Sequence, residues 1–111
     1  MALHSDRTLD GLIRKIVEAV CPQTIILFGS RARSENASNS DVDLLIIEDN
    51  DFGPKRSRRK ETSKLWRTLA DIDIPKDILV FSRQEVENWK NSSSHVIARA
   101  LKEGKVLYER D

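Results

Sequence analysis

Two aspartates separated by a single residue, Asp41 and Asp43, are the strongest chemical feature of the sequence. An apolar run follows them at once, Leu44 to Ile47, with the length and composition typical of a buried strand. Side chains alternate between the two faces of a strand, so both carboxylates point the same way, with Cα atoms roughly 6.6 Å apart. The spacing therefore predicts a pair of acids on one side of a strand.

A third acid, Asp77, lies at the start of another apolar run, Ile78 to Phe81. If the two strands pair, three carboxylates converge. Charges ~5 Å apart repel by about 3 kcal/mol per pair at an effective dielectric of 20, which is a large fraction of a stability of ~5–15 kcal/mol. A divalent cation removes that repulsion, and oxygen ligands are those that Mg²⁺ selects. The acids predict a metal site.

The strand before the acids, Ile25 to Phe28, ends at Gly29-Ser30. Glycine allows a sharp strand-to-helix turn, and a serine N-cap leaves the following amides directed at an anion. Arg31 and Arg33 follow, and a guanidinium group matches phosphate oxygens, although solvated arginine is an equal alternative. Residues 34–40 are rich in Ser and Asn and predict a surface loop.

The Gly29-Ser30 turn, followed by Asp41-x-Asp43 between two strands and by the later Asp77, resembles the nucleotidyltransferase superfamily that includes DNA polymerase beta. Within it, the chain is similar to the small stand-alone members called minimal nucleotidyltransferases, or MNT proteins, over nearly its whole length. The resemblance implies an α/β fold, a small mixed sheet with helices packed mainly on one face. It also implies one domain spanning residues 1–111.

The same resemblance implies a role for each residue of the site. Asp41 and Asp43 would hold two Mg²⁺ ions, and Asp77 would complete the metal site and orient or deprotonate the attacking hydroxyl. The nucleotide, ATP, would be bound by Gly29, Ser30, Arg31 and Arg33. Ser34 stands where many relatives have glycine.

MNT proteins usually neighbour a HEPN-domain toxin, so the resemblance implies an antitoxin that transfers AMP to a tyrosine of that toxin. The chain is also too short for a second lobe to hold an acceptor, which favours an acceptor on another chain. Two alternatives stay open. One is a binding module that only occludes the partner, and the other is transfer to a small molecule such as an aminoglycoside.

The charge balance limits the classes of partner. A formal net charge of +1 predicts no bulk attraction to nucleic acid or membrane, so any such contact must be local. Every residue from Lys55 to Lys60 except Ser57 is basic. Such a run is most often a solvated surface; the alternatives are contacts with nucleotide phosphates, RNA or an acidic partner. Few aromatic residues interleave it, so nucleic acid is not favoured.

Export and membrane insertion are not expected. No segment approaches 18 consecutive apolar residues, and the first ten residues carry charges where a signal peptide needs an apolar run. A single cysteine, Cys21, cannot form an intramolecular disulfide and is predicted to be a small buried residue before Pro22. The sequence therefore predicts a cytoplasmic protein.

Periodicity and capping signals predict the remaining elements. Thr8 to Val20 is predicted as an amphipathic helix, and a second helix follows the basic run with Leu65, Trp66 and Leu69 on one face. The other predictions are a loop at Asp71 and Asp73, a capping box from Ser82 to Glu85, a surface or capping role for His95, a helix end at Gly104 and a short edge strand at Val106 to Tyr108.

Overall fold

The computed structural model describes residues 2–29, 42–72 and 74–110. The elements run in the order α1 (Ala2–Val20), β1 (Thr24–Phe28), β2 (Val42–Glu48), α2 (Arg58–Thr68), β3 (Lys76–Ser82), α3 (Arg83–Trp89), α4 (Val96–Glu103) and β4 (Lys105–Glu109). The helices and strands predicted within the described residues are present, whereas the predicted helix start at Ser30 and the loop at residues 34–40 lie outside them. The first helix begins at Ala2 rather than Thr8, because Ala2 and Leu3 extend the helix with residues of high helical propensity.

The four strands form one mixed sheet in the order β3-β2-β1-β4. β1 is antiparallel to both β2 and β4, whereas β2 and β3 are parallel. Parallel neighbours need a crossover connection, and α2 lies in the segment that links them. The mixed sheet and the α/β class are as predicted.

The core has a layer on each face of the sheet. On one face, α1 and α2 pack against alternate residues of β1, β2 and β3, with Leu12, Ile16, Leu65 and Leu69 fully buried. On the other face, the shorter α3 and α4 cover Ile26, Leu45 and Ile47, chiefly through Val86 and Ala100. The two longer helices thus share one face, and the face covered by the two short helices is the one that carries the acids described below.

Two predictions about side-chain burial are wrong. Trp66 does not share the buried face of Leu65 and Leu69 but is 39% exposed, because consecutive helical residues are turned by about 100°. Cys21 is exposed rather than buried. It follows the last turn of α1 with φ 46° and its N–H donates to the Val17 carbonyl at 3.0 Å; Pro22 is the residue buried there.

The predicted caps of α3 and α4 are confirmed. The Ser82 hydroxyl accepts the Glu85 N–H at 3.1 Å, and the Glu85 carboxylate accepts the Ser82 N–H at 2.8 Å. The His95 ring nitrogen Nδ1 accepts the Ile97 N–H at the start of α4. α4 ends at Gly104, where a Cβ would lie 2.6 Å from Ile26 Cγ2, so only glycine allows β1 to approach this closely.

Among the described residues, no helix has both the length and the apolar character needed to cross a membrane.

Candidate active site

Gly29 directly follows β1, and its backbone adopts φ 80° in the left-handed region that favours glycine. A Cβ placed on Gly29 would collide with the Asp43 carboxylate, reaching Oδ2 first and lying 3.4 Å from Cγ. The Asp43 carboxylate thus occupies the space that a side chain at position 29 would need. Gly29 and Asp43 are predicted site residues, and the structure brings them into contact distance.

The strand register brings Asp77 to the same place. Asp43 on β2 is paired with Phe28 on β1 and with Asp77 on β3. Neighbouring strands lie about 4.8 Å apart, and paired residues of parallel strands point to the same face. Asp43 is two residues from Leu45, and Asp77 is two residues from Leu79. Residues two apart on a strand point to the same face, and Leu45 and Leu79 belong to the core layer under α3 and α4, so both acids lie on that face. The predicted convergence of Asp43 and Asp77 is present in the sheet.

The chain segment before Asp77 is fixed to the strand that carries Asp43. The Val42 N–H donates to the Pro75 carbonyl at 2.9 Å, which holds the start of β3 beside the start of β2. The Lys76 ammonium group donates to the carbonyls of Ile72 and Ile74, at 2.8 and 3.3 Å. These bonds set the position of Asp77 relative to Asp43 through the backbone.

The other predicted site residues, Ser30, Arg31, Arg33 and Asp41, lie outside the described residues. Over residues 2–29, 42–72 and 74–110, no group of three or more potential ligands forms a metal site. The donors that are described fit a hard cation in type: both are carboxylates, Asp43 half-buried and Asp77 exposed. Asp43 and Asp77 would hold Mg²⁺ here, and Asp41 remains a predicted ligand.

The second pair of aspartates, Asp71 and Asp73, was predicted to be a loop feature. Asp71 lies in the turn after α2, and both its carboxylate oxygens accept from the Lys15 ammonium group at 2.7 Å. This hydrogen bond lowers the pKa of Asp71. Asp71 therefore pairs with α1, and Asp73 lies outside the described part.

The basic run at residues 55–60 is in part structural. The Arg56 guanidinium forms ion pairs with Glu48 and, at 3.3 Å, with Glu61. The Arg58 guanidinium pairs with both carboxylate oxygens of Glu85 and donates to the Val80 carbonyl at 2.8 Å. Both guanidinium groups also lie over the Phe52 ring, 4.3 and 4.8 Å from its centroid.

Three cations of this run, Lys55, Arg59 and Lys60, are exposed and make no ion pair with any other described residue. The predicted alternatives, contact with phosphates, RNA or an acidic partner, apply to these three alone. Arg56 and Arg58 join α2 and the segment before it to β2 and α3.

Glu48 is a buried acid that the sequence did not reveal. It ends β2 with 3% exposure, and its Oε2 has no hydrogen-bond partner among the described residues. Burial, together with a hydrogen bond and repulsion from Glu61, raises the pKa of Glu48 to about 7, against the opposing effect of Arg56. A lone glutamate at the end of an apolar strand gives too weak a signal, because its partners, Arg56 and Glu61, come from later in the chain.

Comparisons with known proteins agree with this arrangement. The family profile described as "Polymerase beta, Nucleotidyltransferase" matches residues 12–111. No curated protein matches the chain. Among solved structures, a nucleotidyltransferase of Sulfolobus solfataricus is similar with a TM-score of 0.65 at 16% identity, covering 94% of this chain and 79% of that one.

Two further similar structures are toxin–antitoxin systems. A mutant of the MntA-HpeT toxin–antitoxin matches with a TM-score of 0.57 at 16% identity, covering 96% of this chain and 73% of the other. A toxin–antitoxin structure with AMP-PNP matches with a TM-score of 0.53 at 23% identity, covering 91% and 73%. These likenesses show a shared fold. With the sequence match over residues 12–111, they confirm the family resemblance: the chain belongs to the polymerase beta family of nucleotidyltransferases.

Proposed function

We propose that this chain is a single-domain, Mg²⁺-dependent nucleotidyltransferase that transfers AMP from ATP to a tyrosine hydroxyl of a HEPN-domain toxin, and thereby acts as its antitoxin. The observation that carries the proposal is the register that aligns Asp43 with Asp77 beside Gly29, in a chain of the polymerase beta family. We place the reaction in the cytoplasm, as the sequence predicts.

In this proposal each acid has its own task. Asp43, half-buried and held against Gly29, binds the metal together with Asp41. Bound Mg²⁺ ions supply charge stabilisation at the reacting phosphate and activate the attacking oxygen. Asp77 is exposed on the edge strand β3, where an acceptor hydroxyl from another chain has access to it. It orients that hydroxyl and accepts its proton.

The bonds exchanged follow from the chemistry of nucleotidyl transfer. The acceptor oxygen forms a bond to the α-phosphorus, the bond from that phosphorus to the β-phosphate oxygen breaks, and pyrophosphate leaves with its electron pair. The hydroxyl proton passes to Asp77. Ser30, Arg31 and Arg33, which follow Gly29 in the chain, bind the phosphates of the nucleotide in this proposal.

The choice of nucleotide and partner is supported by the similar structures. One of the toxin–antitoxin structures contains AMP-PNP, an ATP analogue, and two of them pair an antitoxin with a toxin. This chain has the same fold and offers an exposed acid at a sheet edge with no acceptor-binding lobe of its own among the described residues. A protein acceptor supplied by a second chain fits that arrangement.

The proposal is tested by incubating the chain with its co-purifying partner, Mg²⁺ and ATP labelled at the α-phosphate. We expect label on the partner. Asp43→Asn should abolish transfer, and Asp77→Asn should lower it by about 100-fold or more, the usual loss for a general base. Asp71→Asn, which removes an exposed acid paired with Lys15, is the matched control and should transfer at the wild-type rate.

Two results would contradict the proposal. No labelling of any co-purifying chain by the wild type would remove the enzymatic reading. Full suppression of the partner's toxicity by Asp43→Asn, without labelling, would favour the alternative in which the chain neutralises its partner by occlusion. Labelling of an aminoglycoside and not of a protein would favour the small-molecule alternative.

A further inference from the structure

The strand β4 forms an edge of the sheet in the part of the chain that the structure describes. It pairs with β1 alone, while β3 forms the opposite edge. An edge strand presents backbone N–H and C=O groups that another strand can pair with, and most natural edges are protected against this. β4 has no proline, and its residue Val106 is 57% exposed, the highest value among the large apolar side chains described.

The pairing of β4 with β1 leaves the middle residue of β4, Leu107, without a partner on β1. Tyr108 is paired with Ile25 and Val106 with Ile26, so the register gives Leu107 no partner on β1. This irregularity lies at the centre of a five-residue strand. Leu107 is thus both the central residue of β4 and the one at which its register with β1 is interrupted.

The charges of β4 are complementary to those of the same strand running the other way. Lys105 begins the strand and Glu109 ends it, both are exposed, and neither makes an ion pair with another described residue. In an antiparallel pair centred on Leu107, Lys105 of each copy lies opposite Glu109 of the other. Opposite charges in this cross-strand relation are stabilising, and like charges are destabilising.

Open grooves flank β4 on both faces of the sheet, and each is lined by both apolar and charged residues. On the α1 side, a groove of about 480 Å³ is lined by Ile13 and Val17 with Leu107. On the α4 side, a groove of about 270 Å³ is lined by Val106 and by Leu101, which is 40% exposed. A second copy, added at this edge, brings equivalent apolar side chains to both grooves, whereas a single extended peptide covers only the backbone.

We propose that two copies of this chain associate through β4, which pairs antiparallel with β4 of the second copy about a two-fold axis at Leu107. The sheet then continues through both copies. Such an interface is self-complementary, as two-fold symmetry requires. The acids Asp43 and Asp77 lie on β2 and β3, which β1 separates from this edge of the sheet.

The first test measures the dissociation constant of the full-length chain, without any partner protein, by sedimentation equilibrium. We expect a monomer–dimer equilibrium. Lys105→Glu and Glu109→Lys should each raise the dissociation constant about tenfold, because each places like charges opposite one another twice. The double variant restores opposite charges and should return to within about threefold of the wild type. Lys64→Glu, an exposed reversal on α2, is the control and should change nothing.

The second test uses disulfide cross-linking to show whether the two copies meet at Leu107. Opposed residues of antiparallel strands have Cα atoms about 4.5–5.5 Å apart, within the range that a disulfide spans. In a Cys21→Ser background, Leu107→Cys should form a disulfide-linked dimer on mild oxidation, and Lys64→Cys should not. A thermal melt followed by circular dichroism shows whether each variant is folded.

Three outcomes would overturn the proposal. In the first, the wild type stays monomeric across the concentration range. In the second, neither single charge reversal changes the dissociation constant of the dimer. In the third, Leu107→Cys is folded and dimeric but forms no disulfide. None of these measurements uses nucleotide or toxin. Their failure therefore leaves the proposed transferase activity standing, and loss of that activity leaves the dimer standing.

Discussion

At Gly29 the backbone turns with φ 80°, and the space of the absent side chain is filled by the Asp43 carboxylate. One residue thus meets two demands, a left-handed turn after β1 and a close approach by an acid. In the proposed function this position combines a structural and a functional role, so its substitution should affect both.

We predict that Gly29→Ala lowers both stability and transferase activity. A left-handed backbone costs a residue with a Cβ about 1–2 kcal/mol, and the added methyl group also displaces the Asp43 carboxylate. Urea unfolding measures the first effect, and AMP transfer measures the second. Gly53→Ala is the matched control, since nothing lies within 4 Å of a Cβ there. Equal effects of the two substitutions would contradict the prediction.

The residue types of the site could be predicted from the sequence because Gly29, Asp43 and Asp77 each border an apolar strand. The sequence predicts that Asp43 and Asp77 converge only on condition that β2 pairs with β3, because that pairing and its register are set by contacts distant in the chain. Ser30, Arg31, Arg33 and Asp41 stay predictions, as they lie outside the described residues.

At the scale of elements, local signals were sufficient where the cause is local. The capping box of Ser82 and Glu85 depends on residues three apart, and it is present as predicted. The predicted burial of Trp66 and Cys21 is wrong. Periodicity assigns a helical face only to within one residue, and the exposure of a side chain also depends on which other elements pack against it. The partners of Arg56 and Arg58 come from β2 and α3, and no local pattern indicates them.

The short helix α3 should depend strongly on its cap. α3 has seven residues and none of them is buried, so the Ser82 hydroxyl, itself fully buried, supplies a large share of its stabilisation. We expect Ser82→Ala to lower the free energy of unfolding by about 1 kcal/mol and to speed hydrogen exchange in α3. The N-cap of α2, Ser57, is exposed, and α2 is also held by its buried Leu65. Ser57→Ala should therefore cost less, and the reverse order would contradict this account.

At the scale of the whole molecule, ionisable groups act on stability in opposite directions. Arg110 lowers the pKa of Asp49 through a hydrogen bond, and Arg58 lowers the pKa of Glu85 in the same way. Acids of this kind add stability above their unfolded pKa and lose it in acid. Glu48 has the opposite sign, since burial raises its pKa from 4.5 to about 7. The pH profile of the wild type is a sum, and only a comparison with a variant isolates Glu48.

We predict that the contribution of Glu48 is fully present below about pH 4.5 and is lost as pH rises through about 7. A pKa raised from 4.5 to about 7 corresponds to about 3 kcal/mol. Glu48→Gln keeps the shape and removes the ionisation, so at pH 8 it should be more stable than the wild type by up to that amount. At pH 5 the difference between the two should be much smaller. Urea unfolding from pH 5 to 8 measures the difference.

Glu61→Gln provides the partner test for the same cluster. A hydrogen bond and repulsion from Glu61 both raise the pKa of Glu48, while Arg56 lowers it. Removing the Glu61 charge leaves Arg56 to favour ionised Glu48, so the loss of stability should shift to lower pH and become smaller. Parallel pH profiles for the wild type and both variants would mean that Glu48 is ionised throughout. Glu48 would then carry a buried negative charge although its Oε2 has no hydrogen-bond partner among the described residues. The ion pair with Arg56 would have to offset the free-energy cost of burying that charge.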